Sequence, residues 1–164
     1  MSKFNKQQVP KTSLDSILEW LTWIGLASTF IYLSVSYSSI PAEIGQSLFN
    51  GHGTTKNVLW FPPVIVSIIC WGIFKLNQHP ELLNFPSKPN KPFRTEAYHL
   101  ATQLLRWISF YLSLAVLAMT IISVKTAIGS MNKGTGYVLP IIIIVFVGTS
   151  IFYAVKAFRL PKNK

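Results

Sequence analysis

Charge is what this 164-residue chain lacks: only 12% of its residues are Asp, Glu, Lys or Arg, about half the share of an average soluble domain. Acidic residues are scarcest, five against fifteen Lys and Arg, which leaves few carboxylates for paired acid/base chemistry. There is one cysteine, Cys70, so an internal disulfide framework and a Cys-based zinc knuckle are both excluded. No Gly-x-Ser-x-Gly elbow, phosphate-cradling glycine loop or His-Glu-x-x-His helix occurs. The three histidines, His52, His79 and His99, stand on different segments without metal-ligand spacing. These absences lead us to expect no enzyme, no metal and no cofactor.

What is present is apolar and comes in long runs. Half the residues are hydrophobic, 13% are aromatic and the mean hydropathy is +0.40. Four stretches carry no charge: Trp20–Ala42, Asn57–Phe74, Trp107–Val124 and Gly134–Val155, of 23, 18, 18 and 22 residues. A bilayer core about 30 Å thick needs roughly 17–25 apolar residues per helix, and each stretch fits. The sequence therefore predicts an all-α integral membrane protein, a four-helix bundle in one domain over 1–164, with spans at about 17–37, 58–76, 104–125 and 137–158. The longest segment outside the spans, Asn77–Gln103, is too short for a second domain.

The positive charges flank the spans. Lys3, Lys6, Lys11, Lys75, Lys88, Lys91, Arg94, Arg106, Lys156, Arg159, Lys162 and Lys164 fall on one side, and only Lys56, Lys125 and Lys133 on the other. The positive-inside rule then places both termini in the cytoplasm. A net charge of +10 distributed this way suits anionic lipid at the cytoplasmic face rather than nucleic acid. A cleaved signal peptide is the competing reading of the N-terminus, but its apolar core would span about 7–15 residues and this run is longer.

Local signals mark the element ends. Pro62 and Pro63, and later Pro140, read as helix starts, where a missing N–H breaks no bond. Ala97, Tyr98, Ala101, Leu104 and Leu105 recur at helical spacing, so the third helix is expected to begin near Thr95 and to project beyond the membrane. In the first span Gly25, Ser28, Thr29 and Tyr32 share one face; small and weakly polar residues there suit a helix–helix contact, with a polar lumen as the alternative. Glu19 and Arg106 lie near span ends, as interface anchors or as a salt bridge. No ionisable residue stands at mid-span, which disfavours a transporter.

The first loop carries a resemblance. Tyr37-Ser38-Ser39-Ile40-Pro41-Ala42-Glu43-Ile44, then Phe49-Asn50-Gly51-His52-Gly53, then Lys56-Asn57-Val58-Leu59-Trp60-Phe61-Pro62 resembles the hallmark loop of a bacterial family of small four-helix membrane proteins. That hallmark reads Leu-Pro-x-x-Ile-Pro-x-His-Phe-Asn-x-x-Gly, then Ser-Lys and a proline-started span. The same domain of unknown function forms the N-terminal part of the immunity protein against the sporulation-delaying-protein toxin. His79–Pro86 resembles the family's Pro-x-x-x-Asn-Tyr-Pro segment, and Tyr98–Trp107 its Tyr-Arg-x-Ala-x-x-x-Leu-Arg-Trp helix. This chain departs from the pattern at Gly45, at Leu48 and in the shortened Thr54-Thr55 stretch.

The resemblance implies a bacterial cytoplasmic (inner) membrane and a non-enzymatic role, in protection against or sensing of a membrane-acting peptide toxin. A structural or accessory subunit of a larger membrane complex, with a partner membrane protein, is the alternative; a small exporter is a third. Either way the first loop is the expected binding surface. Ile44 and Leu48 are four apart, as on one turn of a short amphipathic helix after Pro41, with Phe49 and Asn50 following. A packed lid over the bundle mouth is the competing reading of that loop.

Overall fold

The structure is a computed structural model that describes residues 11–44, 54–79, 94–130 and 137–159. Four helices make up nearly all of it: α1 (Ser13–Ser36), α2 (Phe61–Gln78), α3 (Arg94–Ala127) and α4 (Val138–Phe158). All four are long and apolar enough to cross a membrane. A two-residue antiparallel pairing, β1 (Glu43–Ile44) with β2 (Thr54–Thr55), joins the ends of the first loop.

Each helix end has a local cause. Thr12 caps α1 in a reciprocal box: its hydroxyl accepts from the Asp15 amide at 3.3 Å, and the Asp15 carboxylate accepts from the Thr12 amide at 2.9 Å. Such a box satisfies two amides that the first turn leaves without partners. A short 3-10 turn, Tyr37–Ser39, closes α1, and Ile40 before Pro41 is extended, as the proline ring demands of its predecessor. A second 3-10 turn, Lys56–Trp60, leads into α2, whose first turn holds Pro62 and Pro63. α3 stops at Gly129, whose φ of +72° lets the Gly129 and Ser130 amides turn back to the carbonyls of Thr126 and Lys125. This is a Schellman closure, which needs a residue free of a Cβ penalty at that φ.

α3 is the hub. It runs for 34 residues, about 51 Å at 1.5 Å per residue, and packs along α1, α2 and α4. The periphery follows from this: a third of the most apolar stretch of α1 and of α3 is buried, 11% of that of α2 and none of that of α4. The α1 residues turned inward are Asp15, Leu18, Thr22, Gly25, Leu26, Thr29 and Leu33, a three-and-four spacing that makes one seam. Opposite them α3 buries Thr102, Arg106, Ser109, Ser113, Val116, Thr120 and Val124. Bulky apolar side chains are few in the middle of this seam, so the two backbones come close.

Gly25 marks the closest point. A Cβ placed there would stand 2.9 Å from Ser113 Oγ and 3.3 Å from Ser113 Cβ, so only glycine fits without displacing the neighbour. The hydroxyls along the seam are spent on their own helices. Thr22 donates to Leu18 O at 2.8 Å, Thr29 to Gly25 O at 2.9 Å and Thr120 to Val116 O at 2.8 Å. Where Gly25 meets Ser113 the seam is a close helix–helix contact, the first of the two readings open from the sequence. Within the expected stripe, Gly25 and Thr29 are fully turned inward, while Ser28 and Tyr32 are half-buried at its edge.

α4 meets α3 through two polar pairs, the Trp107 indole N–H donating to Tyr153 Oη at 3.1 Å and Tyr111 Oη with Thr149 Oγ1 at 2.9 Å. Phe146 stacks edge-on against Tyr111 at 5.8 Å. Between α3 and α4 lies an aliphatic groove of about 230 Å3 lined by Leu114, Leu117, Ala118, Ile121, Val138 and Ile142.

Candidate functional site: a capped end and a charged end

The end where α1 finishes, α2 starts and α3 finishes is closed by a cap made from the first loop. Ile40 and Ile44 fold inward onto Leu33, Leu59 and Val124, all buried, with Tyr32, Val58 and Trp60 packed around them. Lys56 ties the loop's return to its departure: its ammonium donates to Tyr37 O at 3.3 Å and lies 4.2 Å over the Tyr37 ring. Such a cation–π contact contributes about 0.5–2 kcal/mol, more where water is excluded. The Tyr37 hydroxyl donates to Asn57 Oδ1, and Trp60 stacks near Phe30 and Tyr37 at 6.2 and 6.0 Å.

This geometry corrects the expected amphipathic turn after Pro41. Glu43 and Ile44 are a strand, with Glu43 opposite Thr55 and Ile44 opposite Thr54, because the returning Thr54-Thr55 offers their backbone a ladder partner. Ile44 is 4% exposed and belongs to the cap's core rather than to a free binding surface. Leu48, Phe49 and Asn50 lie outside the described residues. The strand pairing brings Ile44 and Thr54 side by side.

The opposite end, where α1 and α3 begin and α2 finishes, is held by ions. Arg106, 5% exposed on α3, sits between two carboxylates of α1: its Nε donates to Glu19 Oε1 at 3.0 Å and its Nη1 lies 3.2 Å from Asp15 Oδ1. The second contact is electrostatic only, since neither Nη1 nor Oδ1 has an aligned hydrogen-bond partner. Lys11 adds a pair to Glu19 Oε2 at 2.6 Å, and His99 Nε2 approaches Asp15 Oδ2 at 3.9 Å. Glu96, on the preceding turn, is exposed. Asp15 has no exposure at all, and an unpaired carboxylate there would carry a desolvation cost of several kcal/mol.

A narrow cleft of about 20 Å3, room for one group the size of a water or an ammonium, opens beside this cluster between α1, α2 and α3, lined by Glu19, Thr22, Trp23, Phe74, Asn77 and Ser109 together with Cys70 and Arg106. Trp23 and Phe74 stand edge to face at 6.3 Å. Asn77 Oδ1 is buried without a hydrogen-bond partner. Among the described residues no group of three or more His, Cys, Asp or Glu side chains comes together as a metal centre.

The pairing of Glu19 with Arg106 was one of two readings open from the sequence, and the structure adds Asp15, which sequence reasoning passed over. Its signal was available. Continuing the three-and-four register of Thr29, Gly25, Thr22 and Leu18 backwards lands on Asp15, and a carboxylate in a buried register calls for a cation. No family model matches the chain, and neither a curated protein nor a solved structure does.

Proposed function

We propose that the chain is a multi-pass protein of the bacterial cytoplasmic membrane, with both termini inside, that protects against or senses a membrane-acting peptide without chemistry of its own. The observation that carries this reading is the coincidence of motif and cap. Tyr37, Ile40, Lys56, Asn57, Leu59 and Trp60 belong to the stretches that resemble the immunity-type family, and they are also the residues that clamp and fill the cap. The strand pair and the cation–π clamp fix residues 37–44 and 54–60, the two flanks in sequence of Leu48, Phe49 and Asn50.

The membrane placement rests on two aromatic and basic belts. Trp20, Trp71 and Lys75 are exposed at the charged end and Tyr137 at the capped end, and amphipathic rings favour the headgroup level. Trp20 on α1 and Tyr37, the residue that follows it, are 17 positions apart, about 26 Å at the helical rise, close to the hydrocarbon thickness of about 30 Å. Arg106 and Glu19 then lie at the cytoplasmic interface, near anionic headgroups, and the start of α3 projects beyond it.

Two experiments test the proposal. With Cys70→Ala as background, single cysteines at Gly51, Asn90 and Asn132 should react with an impermeant maleimide in cells at the first and third positions and not the second; labelling at Asn90 alone inverts the topology. Phe49→Ala with Asn50→Ala should abolish protection, or contact with the peptide, while expression and melting temperature hold. A double variant that melts early and leaves the membrane makes the loop a lid and removes the binding idea.

A second reading, an accessory subunit docked on a partner membrane protein, is favoured by one feature. The apolar face of α4, beside the groove it forms with α3, leaves Val138, Ile141, Ile144 and Phe152 exposed along an entire helix. Co-purification of a larger complex that is lost on Ile144→Trp would support it.

A further inference from the structure

The cleft at the charged end presents oxygen lone pairs. The Thr22 hydroxyl donates to Leu18 O at 2.8 Å and that of Ser109 to Leu105 O at 3.1 Å, while the Cys70 thiol donates to Ser109 O at 3.7 Å. Their protons are committed, so what they turn to the cleft is acceptor. Asn77 adds a buried Oδ1 with no partner. Arg106 is the charged donor in the lining, with its Nε given to Glu19 and its Nη1 held against Asp15 by charge alone. The Asn77 amide and the Trp23 indole are the neutral donors there. Counting Asp15, Glu19 and Arg106 alone, the site has one negative charge in excess.

Lys11 supplies the missing positive charge. Its ammonium is 2.6 Å from Glu19 Oε2 and 6.0 Å over the Phe74 ring, both of them residues that line the cleft. A carboxylate beside a ring face is an arrangement that attracts ammonium groups. Yet the Lys11 side chain is 52% exposed, so its stem is not packed in place. The ammonium is tethered beside the cleft on Glu19, in contrast to Arg106, which is locked into the seam.

We propose that this cleft is a binding site for a primary ammonium group, and that Lys11, held outside it on the second oxygen of Glu19, competes with such a group for that carboxylate. A primary ammonium has three N–H donors for Glu19, for Asn77 Oδ1 and for a hydroxyl lone pair of Thr22 or Ser109. A quaternary ammonium has none, and would satisfy only the rings. The same chemistry is carried by a small amine in solution and by the phosphoethanolamine headgroup of a lipid, which would sit at the depth of Trp20 and Trp71.

The test uses the full chain with Lys11→Met, which keeps the stem and removes the charge at a half-exposed position that does not hold the fold together. In detergent the variant should melt about 2–4 °C below the parent. Ethylammonium chloride should restore the loss saturably, choline chloride at equal ionic strength should not, and the parent, whose Glu19 is already held by Lys11, should need more ethylammonium for a smaller shift. Adding Asn77→Leu to the variant should abolish the restoration. A shift that is equal with choline, linear with salt or unaffected by Asn77→Leu overturns the site, as does no shift at all. To separate the sources, the variant is moved into nanodiscs of phosphatidylethanolamine or of phosphatidylcholine. Restoration in the first without added amine assigns the headgroup, and restoration only by ethylammonium assigns a soluble amine.

Discussion

At one end of the helices Arg106 bridges two carboxylates of α1 with almost no exposure to water, and at the other Ile40 and Ile44 close the mouth by filling it with hydrocarbon. Both devices join α1 to α3, but they differ in how they fail. The ionic end is all-or-none: a lost partner leaves a buried charge with nothing to offset its desolvation. The capped end fails by degrees, since each side chain removed takes away only its own contacts and leaves a cavity that the neighbours partly fill. Between them the seam at Gly25 depends on neither charge nor bulk, only on the absence of a side chain.

The largest expected effect breaks the comparison at the ionic end. Arg106→Leu should destabilise the protein by about 3–5 kcal/mol in a detergent unfolding titration, because Asp15 is left buried without its cation, while Glu19 keeps Lys11. Arg106→Lys should restore only part of this, as one ammonium cannot reach both carboxylates with the fork of a guanidinium. If Arg106→Leu is neutral, the end is not held by ions and the contrast disappears.

Ile44→Ala tests the other end, with a loss in the lower part of the about 2–5 kcal/mol range of such truncations, read by the same titration. A neutral result would mean that the loop root does not seal the mouth. Gly25→Leu should follow with about 1–3 kcal/mol for overpacking against Ser113. Gly72→Leu and Gly148→Leu, where an added Cβ meets nothing within 4 Å, should cost little and serve as internal controls. The smallest effect is expected on α4. Thr149→Val removes one hydrogen bond to Tyr111, and such inter-helix bonds in membranes average about 0.6 kcal/mol, measurable as a small shift in the unfolding midpoint.

Much of the helical framework is legible residue by residue. Pro62, Pro63 and Pro140 mark helix starts through chemistry that acts within one turn, and the uncharged runs are long enough to span a bilayer; the Thr12–Asp15 box and Gly129 act equally locally but went unread. The stripe of Gly25 and Thr29 announces a close contact because small residues have no other reason to share a face. The charged end is only half legible. Asp15 is on the seam's register, but its partner Arg106 lies on another helix, and Glu19 and Arg106 are 87 positions apart. The strand at Glu43–Ile44 was misread as a helical turn because its backbone bonds go to Thr54 and Thr55, across a loop, and strand pairing leaves no periodic trace in two residues.

By itself, then, the sequence determined four apolar helices, their ends and the small-residue face of α1. These depend on local hydrogen bonding, backbone sterics and transfer of side chains from water, all of which act on neighbours in the chain. The tertiary structure decided that α3 is the hub, that α4 stays at the rim, that Arg106 neutralises Asp15 and Glu19, and that Ile44 turns inward. Those outcomes depend on which surfaces meet, and the energy of a contact between distant residues exists only once the helices have brought them together.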